Sequence, residues 1–241
     1  MRHLVVLALL FAGCATDLPG SDHDEPSDFE VDPGDGKADG VAATFDEDNV
    51  VDDALFEHGD AMGASDVQAF FEATPYHNRS WLADAQIDGA PASQFIVDVA
   101  HQSGVHPLVL IARMQVETSI VSKTVKPSQY RLDRALGCAC PDGGTCGSGY
   151  KGLGPQLTCG AETLRKWFDA SVDGTGQWRI DHSRKTLDGK QVTPENHATA
   201  SLYAYTPWVL VGSGGTWLAW NVTRKYVRYA DANGLTHDTT P

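Results

Sequence analysis

The chain is short of positive charge: 18 Lys and Arg stand against 32 Asp and Glu, a formal net charge of −14 over 241 residues. No basic stripe is left to form a nucleic-acid surface. It also lacks the short motifs of several hydrolase classes. There is no G-x-S-x-G elbow for a Ser-His-Asp hydrolase and no H-E-x-x-H pair for a zincin. The Asp-rich stretch DPGDGKADG departs from the D-x-[DN]-x-[DN]-G-x5-E spacing of a calcium loop and reads as linker. Nothing in the length suggests two full cores, since 241 residues with 41% apolar content suit one globular domain with some unstructured tail.

The acidity is local. Residues 21–60 hold fifteen Asp or Glu against one Lys, whereas residues 61–241 hold sixteen acids and sixteen bases. The first of these segments reads as a self-repelling, hydrated spacer. Before it, MRHLVVLALLFAGC has a basic start, an apolar run over residues 4–11 and then Ala12-Gly13-Cys14. That run is too short to span a bilayer as a mature helix. It resembles the lipobox of bacterial lipoprotein signal peptides, although Phe11 departs from the usual residue there. The resemblance implies lipidation of Cys14, and Ala15 in place of Asp points to the outer membrane facing the periplasm; a plain secretory signal is the alternative. The organisation expected is therefore signal peptide 1–13, acidic disordered linker 14–60 and folded domain 61–241.

Within the domain, apolar spacing predicts helices. SDVQAFFEATPY offers Ser65 as a cap before Val67, Phe70 and Phe71. PASQFIVDVAHQSG places Phe95, Ile96, Val99 and Ala100 on one face, with Gly104 to end it. Pro107 then opens HPLVLIARMQVETSI, in which Leu110, Ile111 and Met114 share a face with Glu117 in or near the last turn. Further helices fit GAETLRKWFDA, a segment capped by Thr193 with Pro194 in its first turn, and a final stretch through Trp217 and Trp220. A turn at Asp188-Gly189 suits a small hairpin. The fold class expected is mainly α, a single helical domain with at most a small β-hairpin. Most of the six Trp and seven Tyr read as core, although such aromatics also suit sugar stacking in a groove.

Glu117 is the residue that asks for a role, because a carboxylate on a core-facing helix is rarely buried without a partner or a job. The helix C-terminus and apolar surroundings favour the neutral acid, and Arg113, one turn earlier, pulls the other way if it reaches back. A neutral carboxylic acid in a cleft is what protonation of a glycosidic oxygen needs. Most glycosidases add a second carboxylate, but no pattern marks Asp133, Asp142 or Glu162 as that partner. His101, His106 and His197 are scattered and do not read as a metal site.

The run AHQSGVHPLVLIARMQVETSI resembles the first motif of the lysozyme-like lytic transglycosylases, in which a Gly-x-x-Pro turn leads into a helix ending in Glu-Ser. NRSWLAD, LGCACPDGG and NHATASLYAYTPWV resemble bacterial extracellular proteins with the same α+β lysozyme-like domain, so the likeness spans about residues 65–229. It implies Glu117 as general acid, with the substrate's C6 hydroxyl as the nucleophile that replaces a second carboxylate. Thr118 stands where the family has Ser, with Ser119 next. Gly152, Leu153, Gly154, Pro155 and Gln156 resemble the Gly-Leu-x-Gln motif with one residue more, which would make Gln156 a sugar contact on a Gly-rich wall. Tyr203 and Tyr205 resemble the tyrosine motif that orients the acid, Tyr205 being preferred because it shares a face with Ala198 and Leu202.

Cys138, Cys140, Cys146 and Cys159 form an even set that suits an exported protein. A Cys138–Cys140 bridge is geometrically poor, leaving two pairings that both pin the loop bearing Gly152 and Gln156, each contributing about 2 to 3 kcal/mol. Four-thiolate zinc binding is the rival, disfavoured by the one-residue first spacing. The reading calls for no metal or cofactor and for a monomer. Its partners are peptidoglycan glycan strands and, through Cys14, a membrane. A lytic transglycosylase fits best; a lysozyme or glucosaminidase-type hydrolase, or a non-catalytic peptidoglycan-binding module, are the alternatives.

Overall fold

The computed structural model describes residues 27–31, 38–141 and 144–236. The signal segment 1–13, Cys14 and Asp142 lie outside the described residues. The helices are α1 (Asp53–Phe56), α2 (Ala64–Glu72), α3 (Ala92–Ser103), α4 (Pro107–Thr118), α5 (Gln129–Leu132), α6 (Leu153–Val172), α7 (His197–Tyr205) and α8 (Gly215–Ala232). Two antiparallel ladders of two residues complete a mainly α domain: β1 (Gln86–Ile87) with β2 (Ala90–Pro91), and β3 (Arg184–Lys185) with β4 (Gln191–Val192). The second is the hairpin expected around Asp188. The first turns through Asp88 and Gly89, both at positive φ, the conformation a tight Asp-Gly hairpin requires.

Helix α4 occupies the centre. Every residue from Pro107 to Gln115 is buried, so this helix has no solvent face over its first nine residues. It packs mainly on α8, while α3 joins α2 to α6 and α6 lies along α7. Leu108, Leu110, Ile111 and Met114 are fully buried, and each such side chain stabilises the fold by about 1.5–3 kcal/mol. The helix starts where Pro107 fixes φ, and His106 accepts the Leu108 amide at 3.0 Å as its cap. Gly104, at φ 68°, ends α3 one short turn before it. Ser119 ends α4 in the left-handed region, at φ 53°.

Three local expectations are corrected. Gly63 caps α2, its amide donating to Asp66 Oδ2 at 2.7 Å, so Ser65 lies inside the helix. Asn196 caps α7 through the Thr199 amide at 2.7 Å, which leaves Thr193 and Pro194 in the approach. The acidic segment is not spacer throughout: Val50, Val51 and Phe56 are buried in the common core, with Phe56 stacked on Phe168 at 5.0 Å. The folded domain therefore begins well before residue 61. Acids dominate that stretch, but Val41, Val50, Val51, Leu55 and Phe56 turn inward.

Candidate functional site

Glu117 is the penultimate residue of α4, and its neighbours come from three separate parts of the chain. The Arg113 guanidinium is its direct partner through Oε1, an i,i+4 ion pair in which the Arg side chain is 2% exposed and the Glu side chain 28%. Arg113 also donates to Thr206 Oγ1 at 3.0 Å and lies over the Tyr205 ring at 4.7 Å. Its Nε finds no partner among the described residues. A buried guanidinium with incomplete hydrogen bonding is a structural cost, and such costs gather at functional sites. Sequence alone left open whether Arg113 reaches the acid; it does, so Glu117 is not isolated but has a charged partner.

The other carboxylate oxygen faces Gly137, at φ 72°. A Cβ there would lie 2.7 Å from Glu117 Oε2. Only glycine meets both conditions without strain, so the turn at residues 136–138 comes up against the acid with nothing between them.

Two hollows meet at Glu117. One, of about 430 Å³, is lined by Thr118, Ser128, Tyr130, Arg131, Arg134 and Gly137 beside the acid. The other, of about 450 Å³, is lined by Val116, Thr206, Trp208, Leu210, Ser213 and Leu218, again with Glu117 and also with Phe29. The first is cationic, with Arg134 over the Tyr130 ring at 4.0 Å and Arg131 donating to Thr118 O at 2.5 Å. The second is mostly apolar and aromatic, with Thr206 and Ser213 also in its lining. Among the described residues Glu117 is the one carboxylate in either lining. Asp133 accepts instead from Gln129 Nε2 at 2.7 Å, and Glu162 lies on an exposed face of α6.

The remaining expected site residues divide. Tyr205 reaches the site, but its hydroxyl donates to Leu136 O at 2.8 Å and supports the Gly137 turn instead of orienting the acid. Burial pushes its phenol above the ordinary value; Arg113 opposes this and Glu117 adds to it. Tyr203 is fully buried and stacked on Trp178 at 5.0 Å, a core residue. Thr118 lines the cationic hollow, yet its hydroxyl is turned back to Met114 O at 3.0 Å. Ser119 serves as the cap of α4.

Gln156 is a further correction. It belongs to the first turn of α6, not to a flexible wall, and it is fully buried. Its Oε1 accepts the Cys138 amide at 3.1 Å, and its Nε2 donates to Cys138 O at 2.8 Å and Tyr150 O at 2.6 Å. No sugar can reach it; it holds the turn that presents Gly137. The disulfides do related work. Cys138 is bonded to Cys159 of α6, and Cys140 to Cys146, which is one of the two pairings left open by the sequence.

The histidines stand apart: His106 caps α4, His197 meets Ser171 Oγ at 2.9 Å and His101 is exposed. Among the described residues no group of three or more His, Cys, Asp or Glu is placed to hold a metal.

What the fold and site define is a mainly α, disulfide-tied domain with one acid at the junction of two hollows. The chain belongs to the family described as LasA, N-terminal domain, whose sequence model matches residues 49–204. That span runs from just before α1 through most of α7 and includes Glu117, Gly137 and all four bonded cysteines. That description does not name the lytic transglycosylases that the four motifs resemble. Comparison with curated proteins and with solved structures gives no match.

Proposed function

We propose that the chain is a peptidoglycan-cleaving enzyme acting on the β-1,4 bond between N-acetylmuramic acid and N-acetylglucosamine, with Glu117 as its general acid and base. The observation that carries this is that two hollows meet at Glu117, the one carboxylate among the described residues of their linings, so that a polymer lying along both would cross it at one bond. The motif resemblance supplies the glycan class. Arg113 holds Oε1 and fixes the side chain, while Oε2 at Gly137 is the oxygen that transfers the proton.

The reaction follows the lytic transglycosylase route. Glu117 gives its proton to the glycosidic oxygen, and the C1–O4 bond breaks as the N-acetylglucosamine hydroxyl leaves. The carboxylate then takes the C6 hydroxyl proton as O6 closes on C1, giving a 1,6-anhydro end and restoring the acid. No water and no second protein nucleophile are consumed, which suits a lining with one carboxylate among the described residues. Hydrolysis by the same acid, and glycan binding without cleavage, are the competing outcomes.

The working location in this proposal is the cell envelope, with a lipid on Cys14 at the outer membrane facing the periplasm, the glycan strands as partner and a monomer as the acting form. Glu117→Gln tests the chemistry. The side chain lies at the rim, so folding is retained, and release of soluble fragments from purified peptidoglycan falls by at least about 100-fold. Release at the wild-type rate by this variant overturns the assignment.

A further inference from the structure

The acidic leader supplies a pentapeptide, residues 27–31, that docks beside the site. Its anchor is Asp28. Oδ1 accepts Tyr76 Oη at 2.5 Å and Lys225 Nζ at 3.2 Å, and Oδ2 accepts Gln115 Nε2 at 2.6 Å. Asn221 Nδ2 donates to the carbonyls of Asp28 at 2.8 Å and Glu30 at 3.0 Å, while Lys225 Nζ also donates to Ser27 O at 3.1 Å. The donors come from the loop after α2, from α4 two residues before Glu117, and from α8. Tyr76, Gln115, Asn221 and Lys225 are all buried. Burial pushes the Tyr76 phenol far above its ordinary value and keeps its hydrogen available to Asp28.

The anchor sets the position of Phe29. Phe29 is 52% exposed and lines the same hollow as Trp208, itself 36% exposed, together with Val116 and Glu117. The hollow stays open at about 450 Å³, so Phe29 is a wall of it and not a plug. Two exposed aromatics bounding one cleft, with the polar residues Thr206 and Ser213 in the same lining, match the chemistry of a pyranose: apolar C–H faces for the rings and polar groups for the edge.

We infer that residues 27–31 complete the glycan groove: Phe29 is a sugar-contacting residue of the subsite between Glu117 and Trp208, and Asp28 is the residue that positions it. This rests on reading Glu117 as the centre of a glycan groove. It assigns substrate recognition to a segment whose composition alone marks it as spacer.

The test uses the full chain. In the Glu117→Gln background, affinity for a soluble N-acetylglucosamine hexamer is followed by tryptophan fluorescence; in the Glu117 chain, KM and kcat are measured on peptidoglycan. Phe29→Ala weakens binding and raises KM by about five- to tenfold, with the effect falling on KM and not kcat. Phe29→Trp restores both, and Asp28→Ala reproduces the Phe29→Ala defect. Unchanged binding in Phe29→Ala overturns the inference, as does tighter binding or faster turnover, which identifies the segment as a cover. The two readings fail separately. A fully active Glu117→Gln with weakened Phe29→Ala binding sinks the catalytic assignment alone; an inactive Glu117→Gln with unaffected Phe29→Ala sinks this one.

Discussion

At the scale of single residues, the site depends on how closely backbone approaches one acid. Gly137 has two reasons to be glycine, a left-handed φ of 72° and the Glu117 oxygen 2.7 Å from where a Cβ would sit. Gly137→Ala thus brings a backbone penalty of about 1 kcal/mol and pushes the carboxylate off its place. Because positioning errors of an ångström cost catalysis heavily, fragment release falls by more than about tenfold while the melting temperature drops only a few degrees. Wild-type activity in that variant would show that Glu117 works from another conformation. Glu117 was legible in the sequence because an acid on so apolar a helix is a local contradiction. Gly137 was not, since its significance lies in a contact twenty residues away, and Gln156 was misread because its motif looked like a loop when Gly152 in fact precedes a helix.

At the scale of elements, boundaries set by local chemistry were readable and those set by competition were not. Gly104 and Pro107 end one helix and begin the next without rivals. Asn196 and Thr193 competed for one helix start, and the side chain able to reach the Thr199 amide won. Helix α6 begins ahead of GAETLRKWFDA because Pro155 lies in its first turn, where a missing N–H costs nothing. The Cys138–Cys159 bond fastens the Gly137 turn to that helix across a separation of 21 residues. Replacing both cysteines by Ala lowers unfolding free energy by about 2–4 kcal/mol. Activity falls with it as the turn loosens, read by urea titration beside fragment release; unaltered stability contradicts the role given to the bond.

The start of α4 carries its own pH dependence. Burial, with a smaller contribution from His58, pushes the His106 imidazole from 6.5 down to about 3. Between those values the unfolded chain binds a proton that the folded chain refuses, so stability is complete above 6.5 and declines as pH falls toward 3. The slope from this group reaches at most about 1.4 kcal/mol per pH unit. His106→Asn keeps a side-chain acceptor for the Leu108 amide and removes the proton uptake, so its urea midpoint declines less steeply from about pH 7 to about pH 4. Parallel declines in the two proteins would place the acid sensitivity elsewhere.

At the scale of the whole molecule, the helical class followed from apolar spacing, and a central helix with no solvent face fits the apolar run around it. The extent of the domain was hidden, because an average over residues 14–60 drowns Val50, Val51 and Phe56 in acids. Long-range docking was hidden too: nothing local links Asp28 to Gln115, 87 residues away. Taken together, α4 brings the acid to the surface, α6 and its disulfide hold the turn against it, and two hollows meet there.

Mass spectrometry of the fragments that the full chain releases from purified peptidoglycan tests the central claim most directly. The account predicts muropeptides ending in 1,6-anhydro-N-acetylmuramic acid, absent when Glu117 is replaced by Gln. Fragments cut only within the peptide stems, or no soluble fragments at all, would contradict it.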